Sequence, residues 1–487
     1  MARGKAELAL DLPRPTALQA CSEEEGSKQD IVYTALRDAI LGRLIAAGGR
    51  LPSSRALAER WGLSRGTVEI VYDRLSAEAY VTRMPGSGTR VSAVVPDRYM
   101  MPAGLAPVPH CAEQDEIYKT EEVSVRAGRA FVARLADPAL FPISSWSRHL
   151  ASAIHGAHAD VLSDADPQGL LTLRTQIAAY LRSYRGIDCD ADDIVVLTGI
   201  RHALDLLARS VLRAGDKVCV EDPGYAAATQ IFTEAGAQVV PVPVDSEGLQ
   251  CDQLDHHTDA RLVYVTPAHQ SPTGVTMPVT RRLALLDWAG TSGAWIIEDD
   301  YDSEFNYLTA PLAALKSLDH GDRVVYCGSF NKTLFAGLRV GYAIVPRQLK
   351  PRLLKLWQTT GRSVGVTEQL ALAAWLKDGG FIRHLRTSRR AYQERRDAIL
   401  ATLASHAPGR YTISGQHAGF HFVLWLPEGT DEAGFCARAA AAGLSLQGLR
   451  SLCRDTVSAP AVIIGYAALT MAQARYGARL LADLLTG

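Results

Sequence analysis

Between Ile31 and Leu44, apolar side chains fall at Ile31, Ala35, Ala39, Ile40 and Leu44. This three- and four-residue spacing predicts an amphipathic helix, which Gly48-Gly49 is expected to stop. Leu51-Pro52-Ser53-Ser54 then supplies a turn and a serine N-cap for a second short helix, Arg55 to Arg60, with Leu57 and Ala58 inward. Trp61-Gly62-Leu63 is a tight connection, and Ser64 caps a third helix with Val68, Val71, Tyr72 and Leu75 on one face. Tyr80 to Arg83 and Thr89 to Val91 flank a Pro85-Gly86-Ser87-Gly88 turn, which predicts a two-stranded hairpin. Residues 92–127 hold several prolines and little periodicity, and read as a linker that is ordered in part at most. From about residue 130 the pattern changes. Short apolar runs (Ile194–Leu197, Lys217–Val220, Gln238–Val240, Leu262–Val265, Trp295–Ile297, Val324–Cys327) alternate with longer helical stretches. That alternation predicts a mostly parallel sheet covered by helices on both faces.

Three helices followed by a hairpin form a winged helix-turn-helix, and charge adds to this reading. The whole chain carries a net charge of −1, yet residues 28–91 hold ten basic against six acidic residues, hence +4. Residues 1–27 carry −2 and residues 92–487 carry −3. A basic segment ahead of a mildly acidic body suggests an anionic partner for the first part only. The start of the third helix offers Ser64, Arg65, Gly66 and Thr67, short polar and arginine side chains suited to phosphates and base edges in a major groove. The isolated G-x-G of the hairpin turn has no strand-to-helix context and is expected to be a hairpin tip.

Composition sets the outer bounds. At 487 residues the chain exceeds the ~250–300 at which single cores stop growing, so two or more domains are expected. Hydrophobic residues at 47% and charged residues at 21% argue against extensive disorder. No apolar run approaches the ~18–20 residues of a membrane span, and Asp11, Arg14 and Glu23-Glu24-Glu25 interrupt any signal-like apolar core. The eight cysteines are scattered, with no C-x-x-C pair, which disfavours both a zinc cluster and a disulfide scaffold. The expectation is a soluble, cytoplasmic, multidomain protein with no membrane partner.

In open α/β sheets, ligands bind beyond the C-terminal strand ends, and the unusual residues lie there. Leu197 is followed by Thr198-Gly199-Ile200-Arg201-His202-Ala203, which opens a helix whose N–H groups suit phosphate. Val220 is followed by Glu221-Asp222-Pro223-Gly224-Tyr225, and Val265 by Thr266-Pro267-Ala268-His269-Gln270-Ser271-Pro272-Thr273-Gly274. Ile297 is followed by Glu298-Asp299-Asp300-Tyr301-Asp302, and Cys327 by Gly328-Ser329-Phe330-Asn331-Lys332-Thr333, with Arg339 beyond. Singly these are weak. The Gly328 segment lacks the second glycine of a P-loop, and the acids Asp299, Asp300 and Asp302 also allow a divalent metal. Together they supply a lysine for a Schiff base, a carboxylate for a ring nitrogen, an aromatic face and a phosphate cradle. Those are the parts that pyridoxal 5'-phosphate requires, and no metal is needed.

Two resemblances add to this. Leu51-Pro-Ser-Ser-Arg55-Ala-Leu-Ala-Glu, Leu63-Ser-Arg-Gly-Thr67-Val and Gly86-Ser-Gly-Thr89 resemble the DNA-binding domain of GntR-type repressors. The resemblance implies that Arg55, Ser64, Arg65, Gly66, Thr67 and Gly86 touch double-stranded DNA; a further phosphate position of the family falls on an acid here, Glu69. Asp166-Pro-Gln-Gly169-Leu, Glu221-Asp-Pro-Gly-Tyr225, His269-Gln-Ser-Pro-Thr-Gly274, Glu298-Asp-Asp-Tyr-Asp-Ser-Glu-Phe305 and Gly328-Ser-Phe-Asn-Lys-Thr-Leu334 resemble the aminotransferase-like domain of MocR-type regulators. That subfamily implies an α+β winged helix-turn-helix at 28–91, a linker at 92–127 and an α/β fold-type-I aminotransferase-like effector domain at 128–487. It also implies a homodimer. Lys332 matches the Schiff-base lysine, Asp299 the ring-nitrogen partner, Tyr301 the donor to the ring hydroxyl and Tyr225 the stacking aromatic. Gly199, Ile200, Arg201, Ser329 and Arg339 match phosphate positions, and Arg450 falls where one member binds its effector's carboxylate.

Some positions depart from working aminotransferases. Ser271 stands where they carry asparagine, and Asp164-Ala165 where the family has Tyr-Gly. The strand Val462-Ile463-Ile464 lacks the arginine that holds the α-carboxylate. Two readings therefore stand. One is a pyridoxal-phosphate-dependent transcriptional regulator that senses an amine, an amino acid or the cofactor itself, with residual or no transaminase turnover. The other is an active aminotransferase with a DNA-binding appendage.

Overall fold

The first helix, α1, runs Lys28–Leu41 and buries Val32, Tyr33, Leu36, Ala39 and Ile40. It ends before the expected Leu44 and well before Gly48, because Gly42 closes the last turn on the Asp38 carbonyl at 2.7 Å. Leu44 is 70% exposed while Ile45 turns into the core, and Ile31 and Ala35 flank the buried face rather than lead it. Helix α2, Ser54–Trp61, is capped by Ser53, whose hydroxyl accepts from Ala56 N at 3.2 Å. It closes on Gly62 at φ 68°, a left-handed conformation that glycine adopts freely. Helix α3, Arg65–Ala77, is capped by Ser64, which accepts from Thr67 N at 3.1 Å. It buries Val68, Val71, Tyr72 and Leu75, the four positions its periodicity predicts. Strands β1 (Val81–Met84) and β2 (Gly88–Val91) pair antiparallel as the wing. Leu12 and Leu18, upstream of α1, are buried in the same core, and Trp61 Nε1 donates to the Leu12 carbonyl at 3.3 Å.

The computed structural model describes residues 12–15, 18, 28–42, 44–84, 88–92, 130–163, 166–307, 313–361 and 364–487. They divide into one unit within residues 1–124 and a second within 125–487. Gly86, Asp164 and Ala165 lie outside the described residues, as does the expected linker apart from Ser92.

In the second unit all six predicted runs are strands of one eight-stranded sheet. In chain order they are β3 (Ile194–Leu197), β4 (Lys217–Asp222), β5 (Gln238–Asp245), β6 (Gly248–Leu249), β7 (Leu262–Val265), β8 (Trp295–Asp300), β9 (Val324–Ser329) and β10 (Gly341–Ile344). The spatial order is β3-β10-β9-β8-β7-β4-β5-β6. Strands β5, β4, β7, β8 and β9 run parallel to one another, whereas β6 pairs antiparallel with β5 and β10 runs antiparallel between β3 and β9. Strands β6 and β10 lie outside the runs that the apolar pattern picks out. Side chains alternate between two cores: Leu262 and Tyr264 join Leu204, Leu207 and Phe232 on one face, while Val263 and Val265 join Leu285 and Trp288 on the other. Both faces of the inner strands are dry, which is why those strands read as continuous apolar runs, whereas β5 nearer the sheet edge is half-buried. A smaller antiparallel sheet follows, with strands β11 (Thr412–Ser414), β12 (His421–Trp425), β13 (Gln447–Gly448) and β14 (Ala461–Gly465) in the order β11-β12-β14-β13. Among the described residues no helix is long and apolar enough to cross a membrane.

Candidate functional site

The polar residues that end β3, β4, β7, β8 and β9 gather at one edge of the large sheet. Gly199 opens helix α4 (Ile200–Val211) at φ 131°, and a Cβ there would lie 2.9 Å from Asn331 Nδ2. The close approach ties the β3 end to the Lys332 segment, because Asn331 Nδ2 also donates to the Thr198 carbonyl at 3.4 Å. Ser329 ends β9 opposite Gly341, which in turn faces Leu197, so Ser329 and Gly199 sit one strand apart. Arg339 is exposed and lines a cavity of about 340 Å³ together with Thr198. Arg201 Nε donates to the Tyr225 hydroxyl at 3.2 Å, and the Tyr225 ring lies 6.4 Å from that of Tyr264.

Tyr264 donates to Asp299 Oδ2 at 2.6 Å and, among the described residues, is that carboxylate's one hydrogen-bond partner. Burial pushes the Asp299 carboxyl up to about 7; Tyr264 holds it down, and Asp300, Asp302 and Glu221 raise it further. The three acids of the cluster turn to different partners. Asp300 pairs with buried Arg185 at 2.5 Å and accepts from Tyr326, whereas Asp302 lies 2.9 Å from His269 Nδ1. Among the described residues, no group of three His, Cys, Asp or Glu side chains converges as a metal site requires. Burial works against the charged form of His269, but the Asp302 carboxylate outweighs it and raises the imidazole pKa. Tyr301 is buried with its hydroxyl 3.2 Å from His269 Nδ1 and the Ser271 side chain among its polar neighbours.

Lys332 Nζ donates to the Arg134 carbonyl at 2.8 Å. Burial lowers its pKa, as do the guanidinium groups of Arg134 and Arg201; Asp302 and Asp299 oppose them. Lys332, Asp299, Asp302 and Arg201 thus share one electrostatic neighbourhood, with Tyr225 and Tyr301 bonded into it. Such a lysine spends more time as a free amine than an exposed one, as a carbonyl-capturing nucleophile must. Buried Glu221 braces the loops around it, accepting from Thr266 N, Thr266 Oγ1 and Gln270 Nε2 at 3.2, 2.6 and 3.1 Å.

Arg450 is set apart. It is exposed, and its Nε donates to the Ser458 carbonyl at 3.1 Å. Its loop reaches the β4 end through Asp222, which accepts from the backbones of Arg454, Asp455 and Thr456, and through Gly224 N, which donates to the Leu452 carbonyl at 3.3 Å. Arg134 and Tyr264 are the participants that sequence reasoning misses. Arg134 precedes the first predicted strand and belongs to no motif, and Tyr264 reads as one more apolar strand residue.

In the first unit, Arg55, Ser64, Arg65 and Gly66 are exposed and Thr67 is half-buried. Arg55 projects from α2, and the other four stand at the start of α3. Glu69, one turn on, accepts from Ser54 Oγ, pairs with Arg83 of the wing at 3.1 Å and lies 3.7 Å from Arg65. The Ser54 bond and the two arginines lower its pKa. The acid in the family's phosphate position thus braces α2, α3 and the wing.

The fold and the strand-end site define the second unit as a fold-type-I aminotransferase architecture. The Pyrococcus horikoshii kynurenine aminotransferase, solved with PMP, superposes with a TM-score of 0.69 at 26% identity, covering 80% of this chain and 98% of that one. The family description "Aminotransferase class I and II" matches residues 137–455, and "Bacterial regulatory proteins, gntR family" matches residues 28–91. The probable rhizopine catabolism regulatory protein MocR of Rhizobium meliloti is 34% identical over 450 residues, covering 92% of this chain and 91% of its own. The pyridoxine biosynthesis regulator PdxR of Corynebacterium glutamicum is 34% identical over 404 residues, 81% of each chain. The chain belongs to the MocR-type subfamily of GntR transcriptional regulators.

Proposed function

We propose that this regulator holds pyridoxal 5'-phosphate on Lys332, and that a small-molecule amine or amino acid entering the same site alters how its winged helix binds double-stranded DNA. The reading assigns residues 28–91 to DNA binding, 92–127 to a linker and 128–487 to effector sensing. It takes the protein to be a cytoplasmic homodimer. One observation carries it: Lys332, Asp299, Tyr301, Tyr225 and Arg201 meet at one sheet edge in a chain that also presents Arg65 on an exposed helix start.

The residues suit the cofactor. Buried Asp299, with one donor and a carboxyl pushed up to about 7, gains most from a cationic partner such as a protonated ring nitrogen. Tyr301 offers a hydroxyl, Tyr225 a ring face, and Gly199, Ile200, Arg201, Ser329 and Arg339 the donors and charge a phosphate requires. Bound there, the cofactor supplies an aldehyde that takes up amines covalently. Arg450 is the residue to which the resemblance gives an effector carboxylate. Regulation is favoured over turnover because Val462-Ile463-Ile464 carries no arginine, and a loosely positioned substrate loses the geometry that makes transamination fast.

Lys332→Ala tests the reading. The visible absorbance of the lysine-bound cofactor should vanish while far-ultraviolet dichroism and melting persist. Wild-type protein incubated with amino acids should release no keto acid over many turnovers. A normal visible band without Lys332 would overturn the cofactor assignment, and sustained keto-acid release would favour the enzyme.

A further inference from the structure

Arg134 enters the site twice. Its carbonyl accepts from Lys332 Nζ at 2.8 Å, and its guanidinium is held by the neutral side chain of Gln447, Nη2 to Oε1 at 2.8 Å. Arg134 is half-buried, and among the described residues its guanidinium bonds to Gln447 and to no carboxylate. A guanidinium placed beside a lysine and left without an acid is an unmet electrostatic demand in a partly dry site. The backbone there is also strained: φ is 55–60° at only two arginines of the chain among the described residues, Arg339 and Arg134, where glycine would sit at no cost. The segment leading into Arg134 is tied down three and four residues upstream. Ala130 accepts from Ser445 N at 2.8 Å, and Phe131 accepts from Gly465 N at 3.2 Å.

The partner residue gives the guanidinium an address. Gln447 of β13 stands directly opposite Ile463 of β14, the strand that lacks a carboxylate-holding arginine. Opposed residues of an antiparallel pair point to the same face, so Gln447 brings the Arg134 guanidinium to the face from which Ile463 projects. The charge reaches the reacting group as well: after burial, Arg134 is the largest influence lowering the Lys332 amine pKa, and it also acts on Tyr301 and His421.

We propose that Arg134 is the carboxylate receptor of the effector site, so that the effector is an aminocarboxylate whose amine goes to the Lys332 end and whose carboxylate goes to Arg134. This rests on the proposed reading that the Lys332 site takes up amines. Guanidinium and carboxylate meet in a two-bond geometry that a bare amine cannot reproduce. Gln447 orients the fork and, being neutral, leaves its charge available.

The test uses full-length protein loaded with pyridoxal 5'-phosphate. Changes in the visible band are followed with matched pairs: L-alanine against ethylamine, L-phenylalanine against 2-phenylethylamine, and 4-aminobutyrate against propylamine. In the wild type at least one acid should bind about ten- to a hundred-fold tighter than its amine, the range of a charge-assisted pair. Arg134→Gly removes the guanidinium and suits the backbone, so it should fold and lose that preference, any change in the resting band or in amine affinity being common to both members of a pair. Arg134→Lys should restore part of it, and Arg450→Gln should leave it intact. Three results would overturn the assignment: no acid preference in the wild type, an undiminished preference in Arg134→Gly, or a loss that follows Arg450→Gln instead. A wild type with no visible band at all would overturn the underlying cofactor reading, which is a separate outcome.

Discussion

Asp299 shows how burial and function are coupled at a single residue. Its carboxyl is pushed up to about 7 from 3.8, by burial first and by Asp300, Asp302 and Glu221 after it. A folded-state pKa above the unfolded one means that the native state holds the extra proton between those values. Stability from this group is therefore greatest below about pH 4, falls as pH rises towards about 7, and is flat above. In cofactor-free protein, Asp299→Asn should gain stability relative to the wild type as pH is raised from about 5 to about 8, as measured by urea unfolding. A pH-independent difference between the two would mean that Asp299 does not titrate in that window. A cation supplied by the cofactor ring should flatten the wild-type slope, which the same experiment on loaded protein checks.

At the scale of elements, helix α3 combines a sequence-legible cap with a tertiary brace. Ser64 accepts from Thr67 N, and the Ser64 and Thr67 hydroxyls lie 2.8 Å apart, which orders the turn that presents Arg65. Removing such a cap costs about 1 kcal/mol. Arg65 is 70% exposed and only loosely paired with Glu69, so it is available to DNA. Arg65→Ala should weaken binding to a specific operator by about 1–3 kcal/mol if the side chain reads a base edge in two bonds. Arg55→Ala should weaken all sequences alike and reduce the salt slope by about one phosphate. Fluorescence anisotropy on double-stranded operator at several salt concentrations separates the two. Salt-independent binding that survives both substitutions would exclude α2 and α3 as the interface.

For the whole molecule, aminotransferases of this architecture complete their sites across a dimer, which supports the homodimer in the proposed reading. Such a dimer would carry two winged heads and so favour a repeated operator over a single half-site. Effector binding shifts DNA affinity only as far as it prefers one arrangement of the dimer over another. Full-length protein should sediment as a dimer and should change its affinity for a repeated operator when a responsive amino acid is added. Lys332→Ala should bind the same operator and show no response. An equal response from Lys332→Ala would move sensing away from the strand-end site.

By itself the sequence determined the parts with local physics. Helix α3 was legible because a capping serine and a 3.6-residue period are local, and the apolar runs because strands buried on both faces leave no polar face, β5 being half-buried. The gathering of Lys332, Asp299 and Tyr225 at one sheet edge was legible because residues that end or follow parallel strands collect there, wherever the strands pair. The tertiary structure decided what depends on partners distant in the chain. The end of α1 was set by a core that takes Ile45 and leaves out Leu44. Strand β10, short and reversed, is held by β3 and β9 rather than by its own pattern. Glu69 proved to be a brace because Ser54 and Arg83 come to it from other elements. Arg134, with no motif and an unfavourable backbone, reaches Lys332 only because the chain near residue 130 threads between Ser445 and Gly465. Local preferences write themselves into neighbouring residues. An electrostatic neighbourhood assembled from positions 134, 299, 332 and 447 exists only once the chain has folded.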